Sequence, residues 1–461
     1  MASFSLQDVL QATGGTVACG KRSEQHFSDV STDTRTIAPQ SLFVALKGET
    51  FDGHAFVAAA AEAGASGAVV SEWSDAYRTL PLTVIVVTDT LQAYQDLARF
   101  HRRRFSIPVI AVTGSVGKTS TRNMIATVLS QKLQVLQTEK NFNNEIGLPR
   151  TLLQLTDRHE ACVVEMGMRG LGQIAALAAI AEPTIGVVTN VGICHIELLG
   201  SQDNIARAKG ELVEAIPANG TAVLNGDDPY VAAMADKCRG AVVTYGEQAQ
   251  ADVQACRISA DERGVSFTCQ SGGESFDVTV PVIGRHHVYN ALAAVAVARL
   301  AGVTTEQIQK GLASYAGMPM REELIHIGDC TFINDTYNAN PASMAAAVQT
   351  LAHLTKGRKI AFLAGMGELG QWAKKAHEDI GRLVVKEHID ILVTLGTLAE
   401  SIASAARSEG MTAVYTTETH AEGAALLQSL LKPGDTVLLK GSRSFAMEKI
   451  LPYMERKSCE C

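Results

Sequence analysis

A glycine-rich turn between an apolar strand and a helical pattern carries the clearest chemical signal in this chain. It follows the apolar run 109–112, and its residues are Thr113, Gly114, Ser115, Val116, Gly117, Lys118 and Thr119. Glycines let backbone N–H groups close around phosphate oxygens, and a helix N-terminus adds positive potential. Lys118 can reach the terminal phosphates of a nucleotide, and the Thr119 hydroxyl can bind Mg²⁺. The pattern predicts a nucleotide-binding loop, although Val112 stands where the usual G-x-x-x-x-G-K-[ST] spacing has its first glycine.

Polar side chains also follow two other apolar runs of the same region. Glu165 comes directly after the run 161–164, and His195 lies a short distance after the run 185–188. In a doubly wound sheet, ligands bind outside the carboxyl ends of the strands, so both side chains should converge on Lys118. A lone histidine is more often structural, and imidazole is an unusual ligand for so hard an ion as Mg²⁺. Beside a phosphate loop, both residues nevertheless become candidate Mg²⁺ ligands.

The strand and helix patterns divide the chain into three parts. Residues 1–107 combine helical patterns such as 54–63 with short strands such as 42–46, which is typical of a small α/β domain. From 108 to 317, apolar strands alternate with helix-length segments, so we expect a parallel sheet covered on both faces. A second alternation over 318–461 predicts a Rossmann-like domain. The expected fold class is therefore α/β with three domains.

Composition and charge disfavour several classes of protein. Of the 461 residues, 46% are hydrophobic, which is enough for large cores. No apolar run approaches the roughly 18 residues that cross a bilayer, and the first residues lack the pattern of a signal peptide. The net charge of −8 gives little electrostatic support for a nucleic-acid partner. We expect a cytoplasmic protein with no membrane span and no nucleic-acid partner.

Two other nucleotide-dependent functions are alternatives to phosphate transfer. The segment 365–370 spells the dinucleotide fingerprint G-x-G-x-x-G, but the next strand, 391–395, ends in Gly396 instead of an acid that would hold a ribose. An NAD-dependent oxidoreductase is therefore disfavoured. A nucleotide-switch GTPase would need an N-K-x-D guanine motif, which the sequence lacks.

The phosphate loop and the segments after it resemble those of one enzyme family. The loop TGSVGKTS resembles the T-G-[ST]-x-G-K-[ST] loop of the Mur ligases and their folylpolyglutamate synthetase relatives, which form amide bonds through an acyl phosphate. The segments EMGMRGLGQI and TNVGICHIELLGS resemble the following family motifs, which implies a metal-binding role for Glu165 and His195 beside Thr119. The implied cofactors are ATP and two Mg²⁺ ions.

The family resemblance and the local sequence lead to different predictions for Lys209. It lies 14 residues beyond His195 and by itself is typical of an exposed helix lysine paired with Glu211 or Glu214. In several Mur ligases, however, the lysine at this spacing is carbamylated and helps to hold the second Mg²⁺. The resemblance therefore implies a carbamylated Lys209 as a fourth metal-binding residue. The implied catalytic residues are Lys118, Glu165, His195 and Lys209.

Segments of the second half resemble the nucleotide- and acceptor-binding motifs of the family. The segment 284–290 resembles G-x-H-N-x-x-N, with His287 where asparagine is usual. The segment 334–341 matches N-D-x-Y-N-A-N-P, typical of the members that add D-alanyl-D-alanine, and Met320 replaces the glycine that usually precedes the domain-linking arginine. The implied nucleotide-binding residues are Asn290, Arg321, Asp335, Tyr337 and Asn338. The implied acceptor-binding residues are Lys440, Ser442 and Arg443.

The first part of the chain resembles the UDP-sugar-binding segments of the tripeptide-using Mur ligases. Three stretches, 31–35, 43–49 and 51–54, occur in the family order, and the segment 141–149 resembles the N-x-N-N-E-I-G-x-P loop of the same branch. The implied substrate-binding residues are Ser31, Thr32, Asp33, Thr34, Arg35, Lys47, Gly48, Asn141, Asn143, Asn144 and Glu145.

The whole resemblance implies a specific reaction and a role for each domain. Residues 1–107 would bind the UDP sugar, 108–317 would form the central P-loop ATPase domain, and the Rossmann-like domain 318–461 would bind the acceptor. The enzyme would be an ATP-dependent ligase of peptidoglycan synthesis, joining D-alanyl-D-alanine to UDP-N-acetylmuramoyl-tripeptide, and we expect it to be a monomer. Folylpolyglutamate synthetase is excluded less firmly, and the third residue of the tripeptide stays open.

Overall fold

The computed structural model describes residues 2–20, 25–248, 250–354 and 357–458. Its strands are β1 (Phe4–Ser5), β2 (Thr16–Cys19), β3 (His26–Phe27), β4 (Val30–Ser31), β5 (Leu42–Val44), β6 (Gly67–Val70), β7 (Thr83–Val86), β8 (Val109–Thr113), β9 (Val135–Gln137), β10 (Ala161–Glu165), β11 (Ile185–Val188), β12 (Thr221–Asn225), β13 (Ala241–Gly246), β14 (Val253–Asp261), β15 (Gly264–Ser271), β16 (Glu274–Val280), β17 (Glu323–Ile327), β18 (Cys330–Asp335), β19 (Lys359–Ala364), β20 (Ile391–Leu395), β21 (Val414–Thr417) and β22 (Thr436–Lys440).

The helices alternate with these strands, which confirms the α/β class expected from the sequence. They are α1 (Leu6–Thr13), α2 (Val57–Glu62), α3 (Thr90–Arg102), α4 (Lys118–Leu129), α5 (Gly147–Leu152), α6 (Gln173–Ala181), α7 (Ile196–Leu199), α8 (Gln202–Ala215), α9 (Pro229–Ala232), α10 (His287–Leu300), α11 (Thr305–Ala313), α12 (Pro341–Leu354), α13 (Ala373–Lys386), α14 (Glu400–Ser408), α15 (His420–Leu430) and α16 (Leu451–Ser458). Among the helices of the described ranges, none combines the length and the apolar character that a membrane span needs.

The chain forms two compact units. The first comprises residues 1–111, 133–167 and 174–185, and the second comprises residues 112–132, 168–173 and 186–461. This division differs from the three domains expected from the sequence, whose boundaries at 107 and 317 stay predictions.

The first unit contains a five-stranded sheet in the order β2-β7-β6-β5-β4. Strands β4 to β7 are parallel and β2 is antiparallel at one edge. A core that includes Phe43, Val57, Ala68 and Val84 packs against this sheet, so α2 buries its apolar side there. The same unit also holds the parallel pair β9 and β10, and every residue of β10 is buried.

The second unit contains two larger groups of strands. In the first group, the order is β16-β15-β14-β13-β12-β11; β12, β13 and β14 run parallel, whereas β14 to β16 form antiparallel hairpins. The second group has the order β17-β18-β22-β19-β20-β21, parallel apart from β17. In such a sheet the carboxyl ends of the parallel strands lie at one edge, which is where ligands of α/β proteins bind.

Candidate active site

The glycine-rich turn has the strand–turn–helix geometry that the sequence predicts. Strand β8 ends at Thr113, and α4 begins at Lys118. Gly114 and Gly117 have φ values of 151° and 81°, which L side chains rarely adopt. A Cβ atom at Gly114 would overlap the Thr189 hydroxyl, and one at Gly117 would lie 2.7 Å from Asn290 Oδ1. Both positions therefore require glycine, for backbone conformation and for space.

Residues just after β11 hold this loop in place. Val116 N donates to Asn190 Oδ1 at 2.9 Å, and Asn190 Nδ2 donates to Val116 O at 3.0 Å. Thr189 Oγ1 donates to the same carbonyl at 2.7 Å, and Gly192 N donates to Ser115 Oγ at 2.8 Å. Thr189 and Asn190 are not among the predicted site residues, although they directly follow a buried strand, and that position in the sequence is a signal that could have identified them.

Lys118 and Thr119 occupy the first turn of α4. Lys118 is half-buried, and its Nζ donates to the carbonyl oxygens of Gly114 at 2.8 Å and Ser115 at 3.3 Å. Its ammonium group therefore lies over the loop that would hold phosphate. The Thr119 hydroxyl accepts a hydrogen bond from Arg321 Nη2 at 3.2 Å, so two residues from distant sequence motifs meet here.

Arg321 and Asn290 also contact residues of the predicted nucleotide site. The Arg321 guanidinium lies 4.2 Å from the centre of the Tyr337 ring, a cation–π geometry. Asn290 is buried, and its Oδ1 accepts a hydrogen bond from Thr121 Oγ1 in the first turns of α4 at 3.0 Å. Three of the predicted nucleotide-binding residues thus cluster at the start of α4 or beside it.

His195 lies directly before α7 in a left-handed conformation, with φ 55°. Its Nδ1 is 2.5 Å from Glu368 Oε2, and Glu368 Oε1 is 3.5 Å from Arg169 Nη2. Burial lowers the pKa of His195, Glu368 opposes this shift, and the positive charges of Lys118 and Lys209 add to it. Glu368 belongs to the G-x-G-x-x-G segment, so that segment contributes a carboxylate to the site instead of a dinucleotide loop.

Lys209 is buried in α8 with 2% of its surface exposed. Among the described residues, no hydrogen-bond or ion-pair partner contacts its Nζ. The alternative of an exposed lysine paired with Glu211 or Glu214 is wrong, because Glu211 Oε1 accepts from Gly172 N at 2.6 Å and Glu214 pairs with Lys237 at 2.8 Å. Burial lowers the pKa of Lys209 to about 8. Burial disfavours the ammonium form, so the neutral amine is more accessible here than in an exposed lysine.

Glu165 ends β10 in the first unit and is buried. Its Oε1 accepts a hydrogen bond from Asn143 Nδ2 at 2.8 Å, so a predicted metal ligand and a predicted substrate-binding residue meet. Asn144 Oδ1 accepts from Gly147 N at 2.9 Å at the start of α5. The backbone of this loop is tightened by a hydrogen bond from Asn143 N to Asn141 O, and the carbonyl of Glu145 accepts from the Gln95 side chain.

The segment 31–35 forms a short capped turn in the first unit. Asp33 accepts hydrogen bonds from Arg35 Nε at 2.9 Å and Arg35 Nη2 at 2.7 Å, and Ser31 Oγ donates to Asp33 O. The 3₁₀ turn Thr34–Thr36 follows directly, whereas Thr32 lies in the loop before it. The Arg35 side chain is 86% exposed, so it is available to a ligand.

Lys47 and Gly48 lie beside exposed aromatic rings of the same unit. Lys47 Nζ is 2.6 Å from Glu72 Oε1, and Gly48 N donates to Phe51 O at 2.8 Å. The rings of Phe51 and Phe56 stack with centres 5.3 Å apart and are both exposed. An exposed aromatic face beside a lysine suits a ligand with a ring and a charge.

The predicted acceptor-binding residues differ in how far their side chains are exposed to a ligand. Lys440 is 1% exposed; its Nζ lies 2.6 Å from Asp335 Oδ2 and donates to Asn338 O at 3.0 Å. Arg443 is 55% exposed and pairs with Glu448 at 2.8 Å. The charge of Lys440 is therefore matched within the protein by a residue predicted to bind nucleotide, whereas Arg443 faces solvent.

Ser442 connects two loops at the ends of neighbouring strands. Gly367 N donates to Ser442 Oγ at 2.8 Å, and that hydroxyl donates to Ala339 O at 3.2 Å. Arg443 N lies 3.4 Å from Asn338 Oδ1, to which it donates. The N-D-x-Y-N-A-N-P segment and the residues after β22 thus form one polar region at this strand edge.

Three family models match this chain in consecutive order. They are the Mur ligase family, catalytic domain over residues 26–102, the Mur ligase middle domain over residues 112–298, and the Mur ligase, glutamate ligase domain over residues 320–443. A UDP-N-acetylmuramoyl-tripeptide–D-alanyl-D-alanine ligase from Synechocystis sp. is 39% identical over 93% of this chain and 92% of its own length. The chain belongs to the Mur ligase family.

Solved structures of Mur ligases have the same fold over nearly the whole chain. A crystal structure of MurF from Acinetobacter baumannii is 33% identical, covers 98% of this chain and 99% of its own, and superposes with a TM-score of 0.92. A MurF ligase from Thermotoga maritima, solved in complex with ADP, is 27% identical, covers 94% and 98% of the two chains, and has a TM-score of 0.85. These likenesses confirm the family and the α/β fold with parallel sheets that the sequence motifs predicted.

Proposed function

We propose that this Mur ligase joins D-alanyl-D-alanine to UDP-N-acetylmuramoyl-tripeptide with cleavage of ATP, in the cytoplasm, to supply the pentapeptide precursor of peptidoglycan. The observation that carries the proposal is the phosphate loop, with its two obligatory glycines and its anchoring by Thr189 and Asn190. The chain that contains this loop matches a ligase of this name over 93% of its length. The related MurF ligase from Thermotoga maritima, solved in complex with ADP, supports nucleotide binding at this fold.

The chemistry that fits the site is activation of a carboxylate followed by attack of an amine. The terminal carboxylate of the tripeptide takes the γ-phosphoryl group, the amine of D-alanyl-D-alanine attacks the acyl phosphate, and phosphate leaves from the tetrahedral intermediate. Catalysis of such transfers depends on positioning and on neutralising the charge that develops. Lys118 supplies a cation above the loop, and the backbone N–H groups at the start of α4 supply oriented dipoles.

Magnesium fits part of the predicted donor set. The Thr119 hydroxyl and the Glu165 carboxylate are oxygen donors of the kind that Mg²⁺ prefers, and the imidazole of His195 is a weaker match. When bound, the ion would neutralise phosphate charge. An ammonium group at position 209 does not fit a cation site, whereas a carbamate would.

We further propose that Lys209 is carbamylated. The ammonium would first lose one proton; the neutral amine would then attack CO₂, forming an N–C bond as one C=O π bond opens and a second proton leaves, so that a buried cation becomes an anionic oxygen ligand. Two observations support this proposal: the Nζ has no partner among the described residues, and burial favours the neutral amine that the reaction needs.

The reaction is tested by measuring phosphate release from ATP and Mg²⁺ with UDP-N-acetylmuramoyl-tripeptide, in the presence and absence of D-alanyl-D-alanine. We expect release only when both substrates are present, together with a new pentapeptide product in mass spectrometry. Phosphate release with a folate and glutamate, and none with the muramoyl substrate, would instead identify a folylpolyglutamate synthetase.

Removing either predicted metal ligand should change the magnesium dependence. Glu165→Ala and His195→Ala are each expected to raise the Mg²⁺ concentration for half-maximal rate by about tenfold, because each removes a donor. The measurement is the initial rate against Mg²⁺ concentration, with Glu160→Ala as a control that removes a carboxylate near the other end of β10. An unchanged Mg²⁺ dependence in both variants would place the metal site elsewhere.

The exposed arginine at the acceptor end should contribute to dipeptide binding. Arg443→Ala is expected to raise KM for D-alanyl-D-alanine by about tenfold with little change in KM for ATP, because a guanidinium binds a carboxylate with two hydrogen bonds. Arg382→Ala, on the surface of α13, is the matched control. If KM for the dipeptide stays at the wild-type value in Arg443→Ala, another cation binds the carboxylate.

A further inference from the structure

A polar cluster at the start of α10 has no role in the reaction described above. It consists of His286, His287 and Glu322; the side chains of His287 and Glu322 are each 6% exposed, and that of His286 is 35% exposed. One carboxylate oxygen of Glu322, Oε2, lies 3.0 Å from His286 Nε2 and 3.4 Å from His287 Nε2. The other oxygen, Oε1, lies 3.0 Å from Thr350 Oγ1, whose one proton is shared with Ala346 O at 2.9 Å. A buried carboxylate needs such partners because water does not solvate it, and here both oxygens have them.

The pKa values of the two histidines of this cluster shift in opposite directions. Burial lowers the pKa of His286, but Glu322 and Asp335 outweigh it, so the net shift is upward. Burial lowers the pKa of His287, and the charge of His286 beside it lowers it further. Burial raises the pKa of Glu322, yet the two histidines outweigh it and hold the carboxyl well below its usual range. His286 is therefore the more basic of the two rings and the closer partner of the Glu322 carboxylate.

The proton of His287 has a defined place on the ring. Its Nδ1 lies 3.2 Å from Asn290 Nδ2, and because an amide NH₂ group only donates, Nδ1 accepts and Nε2 carries the proton toward Glu322. The Asn290 Oδ1 atom then faces α4, where it accepts from Thr121 Oγ1 at 3.0 Å and lies 2.7 Å from a Cβ placed at Gly117. The hydrogen bonds thus run in one direction from α4 to the His287 ring, whose Nε2 lies 3.4 Å from Glu322 Oε2.

Glu322 also fixes the chain beside Arg321. Met320 and Glu322 have left-handed φ values of 58° and 50°, which are unfavourable for residues other than glycine. The contacts of the Glu322 side chain offset this strain. They hold the backbone where Arg321 Nη2 reaches Thr119 Oγ1.

We propose that His287 and Glu322 are positioning residues of the nucleotide site: Glu322 fixes the tautomer of His287, and His287 orients the Asn290 amide toward the phosphate loop. This inference rests on the proposed ATP-dependent reaction. An asparagine side chain at position 287 could present either a donor or an acceptor to Asn290, so it would allow both orientations of the Asn290 amide. A histidine ring whose Nε2 proton faces Glu322 presents only an acceptor, Nδ1, to Asn290.

A double-mutant cycle between His287 and Asn290 tests this role. The dissociation constant of a non-hydrolysable ATP analogue with Mg²⁺ is measured by calorimetry for the full-length wild type, His287→Ala, Asn290→Ala and the double variant. Each single variant is expected to bind about tenfold more weakly. The double variant is expected to bind no more weakly than Asn290→Ala, because His287 acts through that amide.

Further variants separate positioning from stability. His287→Asn keeps hydrogen-bonding groups and is expected to weaken binding by only about threefold, and Glu322→Gln is expected to weaken it in the same direction as His287→Ala. The value of kcat at saturating ATP should change less than KM in each. His353→Ala, an exposed histidine whose Nδ1 contacts only its own helix at Gln349 O, is the control and should bind like wild type.

Three results would overturn the proposal. Additive losses in the cycle would show that His287 does not act through Asn290, and a lower melting temperature with unchanged binding would show a purely structural role. Two imidazoles and a carboxylate also form a donor set for Zn²⁺. If the purified protein contained one equivalent of Zn²⁺ and His287→Ala lost it, the result would mean that His287 Nε2 binds a metal instead of carrying a proton. Wild-type protein that fails to bind the analogue would instead refute the proposed function itself.

Discussion

Lys118→Ala is expected to lower kcat/KM for ligation at least roughly 1000-fold. The ammonium group lies over the phosphate loop, where its charge can stabilise the transferred phosphoryl group, and Arg321 is engaged instead with Thr119 and the Tyr337 ring. Lys118→Arg should not restore activity, because the planar guanidinium is larger and cannot replace a compact point charge between Gly114 and Ser115. The measurement is steady-state phosphate release with all three substrates.

The fold should be unaffected by this change. Among the residues that the structure describes, Lys118 Nζ donates hydrogen bonds only to carbonyl oxygens of its own loop, which water can solvate, so we expect the free energy of unfolding to fall by less than about 1 kcal/mol. Lys132→Ala is the matched control, since Lys132 follows the same helix and binds the Ala301 and Gly302 carbonyls at the surface. Activity of Lys118→Ala near the wild-type value would contradict the nucleotide assignment.

Lys209→Ala is expected to lose activity roughly 100-fold or more, and added acetate should restore part of it. If Lys209 works as its carbamate, the variant lacks an anionic oxygen ligand, and a small carboxylate can occupy the vacated space. Lys209→Arg should stay inactive, because it restores charge and reach but cannot be carbamylated. Rates are measured against acetate concentration in both variants.

A direct readout of the modification distinguishes it from a structural lysine. With ¹³C-labelled bicarbonate, wild-type protein should show a carbamate carbon signal in NMR that Lys209→Arg lacks. Lys237→Arg, an exposed lysine paired with Glu214, should keep both the signal and the activity. Wild-type turnover by Lys209→Arg would mean that the cation itself is sufficient and that the carbamate proposal is wrong.

Most of the secondary structure followed from local patterns, and the differences have local causes. Strand β20 coincides with the predicted run 391–395. The helix expected over 54–63 is a 3₁₀ turn, Gly53–Phe56, followed by α2, because Asp52 caps the turn and Phe56 leaves helical geometry. The strand expected over 42–46 ends at Val44, where Leu46 N turns back to donate to Val44 O. Side chains and turns at element ends are set by contacts that periodicity does not encode.

Part of the candidate site was also predictable from spacing. Gly114, Gly117 and Lys118 lie in the strand–turn–helix that the sequence predicted, because a strand–glycine–helix sequence has few backbone solutions; their role in nucleotide binding stays a prediction. The partners that hold them were not foreseen. Asn190 and Glu368 are distant in sequence from the loop and from His195, and nothing local to either residue specifies which group its side chain meets.

By itself, the sequence determined the order of strands and helices, the phosphate loop and the family, since these depend on residue type, period and short motifs. Tertiary structure decided which charged side chains are left without a counter-charge and which are already paired within the protein. Lys209 and Lys440 are both lysines in predicted site segments. Within the described part of the chain, Lys209 is buried with no hydrogen-bond or ion-pair partner, whereas Lys440 is buried against Asp335. Burial and counter-charge depend on what other elements bring to the same place. The state of a titratable side chain, and with it the chemistry it can perform, therefore emerges only when the strands are packed together.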